Sequence, residues 1–213
     1  MAKLENVESY FSKYIQSHDN ALQNTEVSDA EGNELSQQDG IDLLCRWSQE
    51  LKDHGRCQHF IGNGASMAFT NHMALDWTKN GGVTSHCYAS ASLLTAIVND
   101  MGVEHTFSAA LDWYAQPGDL LATISTSGNS PNILGGIEAA KNNNMKVVTF
   151  SGLRPDNSSR KLGDLNFYIP AKTYGIVECA HQVLLHLWLD QYLQIYEWER
   201  EEYQNMRLTE FQL

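Results

Sequence analysis

The segment LLATISTSGNSP, Leu120–Pro131, runs from an apolar stretch, Leu120–Ile124, straight into Ser125, Thr126, Ser127, Gly128, Asn129 and Ser130, and then meets a proline. Beyond it Ile133, Leu134, Ile137 and Ala140 recur at helical spacing, and Pro131 suits the first position of that helix. A short apolar strand that feeds a helix through such a turn is one βα unit of a parallel sheet. The turn also has chemistry to offer. Its hydroxyls, a permissive glycine and the unpaired amides of a helix N-terminus can hold a phosphate dianion without lysine or arginine. A bare turn or N-cap would need only one hydroxyl. The density of the run, at the carboxyl end of a strand where open α/β sheets bind ligands, therefore points to phosphate.

The same pattern extends outward. Cys57–Ile61 reads as a strand that enters Gly62, Asn63, Gly64, Ala65 and Ser66 and then a helix over about 67–77. Further apolar runs at Thr84–Tyr88, Met145–Phe150 and Leu165–Ile169 alternate with helical segments near 92–101, 107–114 and 131–143. Five parallel strands between helical layers is the expected α/β architecture. Ahead of them, Leu4, Val7, Tyr10, Phe11, Tyr14 and Ile15 mark an amphipathic helix over about 1–23, and Ile41, Leu43, Leu44, Trp47 and Leu51 mark a second. The polar stretch 24–38 reads as their connection, and the pair as a dimer or bundle element. A long amphipathic helix, about 176–200, closes the chain. The expected organisation is one domain over 1–213, with a helical extension at 1–53 and the α/β core with its last helix at 54–200.

Composition excludes several classes. At 213 residues and 42% hydrophobic content the chain can bury one sizeable core. No apolar run reaches membrane-spanning length, and the first residues lack the basic start and apolar middle of a secretory signal. A formal net charge of −12 repels polyanions, so nucleic acid is an unsuitable partner and any phosphate must be held by local geometry. Cys45, Cys57, Cys87 and Cys179 are dispersed, which suggests reduced thiols. A cytoplasmic protein is expected.

Ionisable groups recur near these loops. His72 and Asp76 lie four residues apart, on one face of the helix after the glycine loop, where they can grip a divalent ion or simply bond to each other. Glu178, His181 and His186 sit among apolar residues of the last helix. Glu178 and His186 are about 12 Å apart along the axis, a stretched span for one ion. His181 points away from His186 and reads as a packed histidine. The glycine loop is no dinucleotide fingerprint, because the third glycine would fall at Met67.

The S-T-S-G-N-S run and the G-N-G-A-S loop resemble the SIS (sugar isomerase) domain, specifically its phosphoheptose isomerase branch. Asn99-Asp100, the Pro117-Gly118-Asp119 turn and Lys146-Val147-Val148 fall at the spacing of that branch, and the likeness covers roughly residues 40–195. It implies a flavodoxin-like three-layer sandwich and a homotetramer with sites between subunits. It also implies conversion of sedoheptulose 7-phosphate to D-glycero-D-manno-heptose 7-phosphate, with lipopolysaccharide core, capsule and nucleotide-heptose synthesis all open as the pathway served. The phosphosugar contacts would be Asn63, Gly64, Ser66, Asn99, Asp100, Ser125, Thr126, Ser127 and Ser130. The branch takes zinc on His and Glu from one helix and Gln and His from the last; here those positions read His72, Asp76, Glu178 and His186, a set suited to a divalent metal such as zinc. By the same resemblance Asp76 is the general base and His186 the general acid. Gly175 and Asn80 depart from the pattern, which carries an acidic residue and an arginine there. A non-catalytic SIS adaptor that recruits a replication initiator is the alternative; such members typically lose the metal residues.

Overall fold

The computed structural model of the protein describes residues 7–199. The expected strands form, as β3 (Gln58–Gly62), β4 (Ser85–Cys87), β5 (Leu120–Ser125), β6 (Lys146–Gly152) and β7 (Leu165–Ile169). They pair in parallel with β3 between β4 and β5, followed by β6 and β7. This is the strand order of flavodoxin-like sheets, in which the order of strand addition reverses between β3 and β5. Each of β3, β5 and β7 is buried along its length, as strands covered on both faces must be.

The sheet nevertheless has seven strands and is mixed, where five parallel strands were expected. The polar stretch 24–38 is not a plain connection: it holds β1 (Glu26–Asp29) and β2 (Glu34–Leu35), an antiparallel hairpin whose first strand pairs antiparallel to β7. Val27, 2% exposed, anchors it in the core. The Asp29 carboxylate closes the turn by accepting from Glu31 N, Asn33 N and Asn33 Nδ2 at 2.8–3.0 Å. The Asn33 side chain leads the bonds that hold this carboxyl below its usual range. Besides closing a turn, the hairpin covers the backbone that β7 would present as a free edge.

Helices α1 (Val7–Gln23), α2 (Gln37–His54), α3 (Ala65–Asp76) and α7 (Tyr174–Leu193) share one apolar cluster with β1 and one face of the sheet, through residues such as Ala21, Val27, Leu44, Trp47, Met73 and Trp188. Helices α4 (Ala91–Met101), α5 (Ser108–Tyr114) and α6 (Pro131–Asn142) share another with the opposite face, through Ile97, Phe107, Leu111, Ile133 and Ile137. Ala122 and Ile124 point to the first layer and Leu121 to the second, the two-residue alternation of a strand. α2 is capped at both ends: Ser36 Oγ accepts from Asp39 N, and Gly55 adopts φ +63°. α7 stops at Leu193, earlier than expected, because Gln194 turns left-handed at φ +57°. The expected ends of the first and last helices, residues 1–6 and 200, lie outside the described residues.

Candidate functional site

Both loops expected to hold ligand lie beside the switch point, where open α/β sheets form their ligand crevices. The first follows β3. A Cβ on Gly62 would stand 2.8 Å from Ser66 Cβ and 2.9 Å from its carbonyl carbon, so this turn admits only glycine. Gly64, at φ +57°, faces open space, which leaves its backbone accessible to a ligand. Ser66 is buried at 4% exposure and its N–H donates to Asn63 O at 3.0 Å.

The second loop follows β5. Gly128 N donates to Ser125 O at 2.9 Å, folding the loop back on the strand end. Ser130 stands at the N-cap of α6 but makes no side-chain capping bond, and the Thr126 hydroxyl, buried, has no hydrogen-bond partner. Hydroxyls left unspent at a helix N-terminus are what an anion site requires. The loop is braced from behind by the segment after β6. Asn157, 1% exposed, donates from Nδ2 to Ser151 Oγ, Gly152 O and Arg154 O and accepts from Arg160 N, while Ser159 N donates to Gly128 O and Ser158 N to Asn129 Oδ1. Sequence reasoning missed this brace, whose residues carry no motif.

The histidine cluster forms where α3 meets α7. His72 Nε2 lies 3.0 Å from Asp76 Oδ2, and the His72 and His186 rings meet edge-on at 5.2 Å. Ligand atoms of His72, Asp76 and His186 all lie within 4.8 Å of one another. Aromatic packing just beyond sets this approach. Trp77, which follows α3, packs at a tilt with its ring 4.8 Å from Trp188 and 5.0 Å from Tyr192, both on α7, and Trp188 Nε1 donates to Ser48 Oγ at 3.1 Å. A five-residue π-helical turn, Trp77–Gly81, continues α3 and lets Gly81 pass against the Trp77 ring. Two imidazoles and a carboxylate are a donor set that fits zinc or a similar divalent ion.

Glu178, expected as the fourth ligand, is not among the three side chains that converge here. It stands two turns nearer the start of α7, about 12 Å from His186 along the axis. Gln182 is the residue the sequence reading passed over. It lies one turn from His186 and borders the same cavity of about 980 Å³, with Oε1 buried and unpartnered and Nε2 3.9 Å from Met73 Sδ. Its signal was the i,i+4 spacing to His186.

Asn99 and Asp100 end up on the exposed last turn of α4, bonded to each other at 2.7 Å, and among the described residues no hydrogen bond joins them to either loop. His181 is fully buried, with Nε2 3.1 Å from Ser151 O and Nδ1 unpartnered. Burial pushes its pKa down to about 4, so it is a neutral donor to the end of β6 rather than an acid.

Residues 30–152 match the model of the SIS domain family. The phosphoheptose isomerase of Fusobacterium nucleatum is 32% identical over 131 residues, 59% of this chain and 67% of that protein. That of Campylobacter concisus is 32% identical over 154 residues, covering 68% and 80% respectively. The solved phosphoheptose isomerase of Neisseria gonorrhoeae superposes with a TM-score of 0.75 over 88% of this chain and 96% of that one, at 24% identity, a likeness of fold. The chain therefore belongs to the SIS domain family and, within it, to the phosphoheptose isomerase branch, a group of isomerases.

Proposed function

We propose that the protein interconverts sedoheptulose 7-phosphate and D-glycero-D-manno-heptose 7-phosphate by proton transfer between C1 and C2, with a divalent metal, zinc by preference, held by His72, Asp76 and His186. The convergence of those three side chains in a fold that also presents an unspent hydroxyl loop carries the reading. The phosphate docks on Ser125, Thr126, Ser127 and Ser130 at the N-terminus of α6, with Gly64 and Ser66 opposite. That fixes the far end of the sugar and leaves the reacting carbons free to reach the histidine cluster.

Starting from the ketose, the Asp76 carboxylate removes a proton from C1 to give an enediolate and returns it at C2. His186 supplies a proton to the carbonyl oxygen at C2 and takes back the one that the C1 hydroxyl gives up. When bound, the metal polarises the carbonyl and stabilises the developing oxyanion. A long sugar chain separates the two halves of the site, and in a homotetramer a neighbouring subunit would complete the mouth between them, bringing groups such as Asn99 and Asp100 to the substrate. The exposed apolar residues of α1, among them Tyr10 and Phe11, at 70% and 67% exposure, suit such an assembly. We place the enzyme in the cytoplasm.

The test is direct. Metal-analysed protein is incubated with sedoheptulose 7-phosphate and with shorter ketose phosphates, before and after chelation. Conversion of the seven-carbon substrate that chelation removes and metal restores is the expected result; no conversion of any ketose phosphate by metal-loaded protein refutes the proposal.

A further inference from the structure

Asn63 was expected to contact the sugar, yet both polar atoms of its side chain meet another residue. Asn63 Nδ2 donates to Asn132 Oδ1 at 2.9 Å, and Asn132 Nδ2 donates to Asn63 Oδ1 at 2.9 Å. The two amides close a reciprocal ring. Asn63 belongs to the loop after β3, while Asn132 occupies the first turn of α6, immediately after the hydroxyl loop and Pro131. The pair thus spans the gap between the two loops on either side of the switch point, and Asn132, 7% exposed, holds its end in the interior.

We infer that Asn132 is a positioning residue: through its paired amide it sets the separation of the glycine loop and the hydroxyl loop, and so the fit of a phosphorylated ligand, without itself touching the reacting atoms. The geometry supports this over a turn bond of purely local value. β3 and β5 are hydrogen-bonded only as far as Gly62 and Ile124, so the loops beyond them separate with no ladder to hold them together. An amide ring replaces that ladder. The ring needs an N–H donor and a separate C=O acceptor side by side at this reach, so Asp or Leu at either position breaks at least one bond. Asn63 then serves the ligand by holding Gly64 and Ser66 in place.

The inference rests on the reading of the two loops as a phosphosugar site, and a double-mutant cycle tests it. Asn63→Ala, Asn132→Ala and the double variant are compared for KM and kcat on the ketose phosphate and for dissociation constant with inorganic phosphate. Asn132→Ser is a fourth variant should Asn132→Ala fail to fold. The expected result is a rise in KM and in the phosphate constant of about tenfold, equal in both single variants and no larger in the double, with kcat changed less than KM. Unchanged values in the Asn132 variants overturn the inference, as do single effects that multiply in the double variant, because Asn63 would then act alone. Should the wild type turn over no ketose phosphate, the functional proposal fails, and the phosphate constants still decide the role of Asn132.

Discussion

Gly128→Ala tests the architecture of the hydroxyl loop most sharply. Gly128 has φ +64°, a conformation that costs an L-residue about 1–2 kcal/mol. The added Cβ would also stand 2.0 Å from Asn157 Oδ1 and 2.4 Å from its Cγ, and Asn157 cannot swing aside without giving up the four bonds that tie it to Ser151, Gly152, Arg154 and Arg160. Overpacking of this kind costs about 1–3 kcal/mol more, so the total comes to about 2–5 kcal/mol. Gly55→Ala is the internal control: at φ +63° it is left-handed too, but nothing lies within 4 Å of the new methyl, so about 1–2 kcal/mol is expected. Urea unfolding of both variants, with Gly128→Ala repeated in an Asn157→Ala background, separates strain from clash. In that background the increment should shrink to the strain alone. A Gly128→Ala cost equal to that of Gly55→Ala, unchanged by Asn157→Ala, would refute the account of the brace.

Three further outcomes are expected. Asp76→Asn and His186→Ala each lower kcat by about 100-fold or more while far-UV circular dichroism stays that of the wild type; near wild-type turnover in either removes it from the acid–base pair. His181, neutral when folded with a pKa of about 4 against 6.5 when unfolded, binds fewer protons in the native state between those values. Stability should therefore fall as pH drops from about 6.5 to 4, by up to about 3 kcal/mol from this residue. Urea midpoints that show the same slope in His181→Gln would exclude it as the source. Asp119 accepts from Cys57 N, Gln116 N and the buried His59, and although burial works to raise its pKa, these bonds hold it low. Asp119→Ala leaves those donors unpaired and should cost about 2–4 kcal/mol in the same assay; a cost below about 0.5 kcal/mol would show that the network contributes nothing.

The α/β core was legible because its strands are uninterrupted apolar runs that stop at glycine or hydroxyl clusters, a pattern local enough to read from spacing alone. The hairpin was not, because Glu26–Asp29 carries a single strongly buried apolar residue, Val27; its strands exist through pairing with β7, far away in sequence. The same contrast holds in the site. His72 and Asp76 share one helix and could be paired by arithmetic, and the resemblance assigned His186 to the same ion; that the His186 ring meets His72 depends on how α7 packs on α3, which no spacing along the chain encodes. Asn132 and Asn157 carry no motif and acquire meaning only from the partners that folding brings to them.

The residue proposed as the acid is mounted on an element that the molecule cannot release piecemeal. α7 buries Val177, Ala180, Leu185 and Trp188 in the main core and bonds to β6 through His181 and to α2 through Trp188. A helix held this way exchanges its amides through global opening rather than local fraying. Warming should therefore leave the geometry around His186 intact until the whole protein melts, so that catalytic competence and the cooperative transition are lost at one temperature.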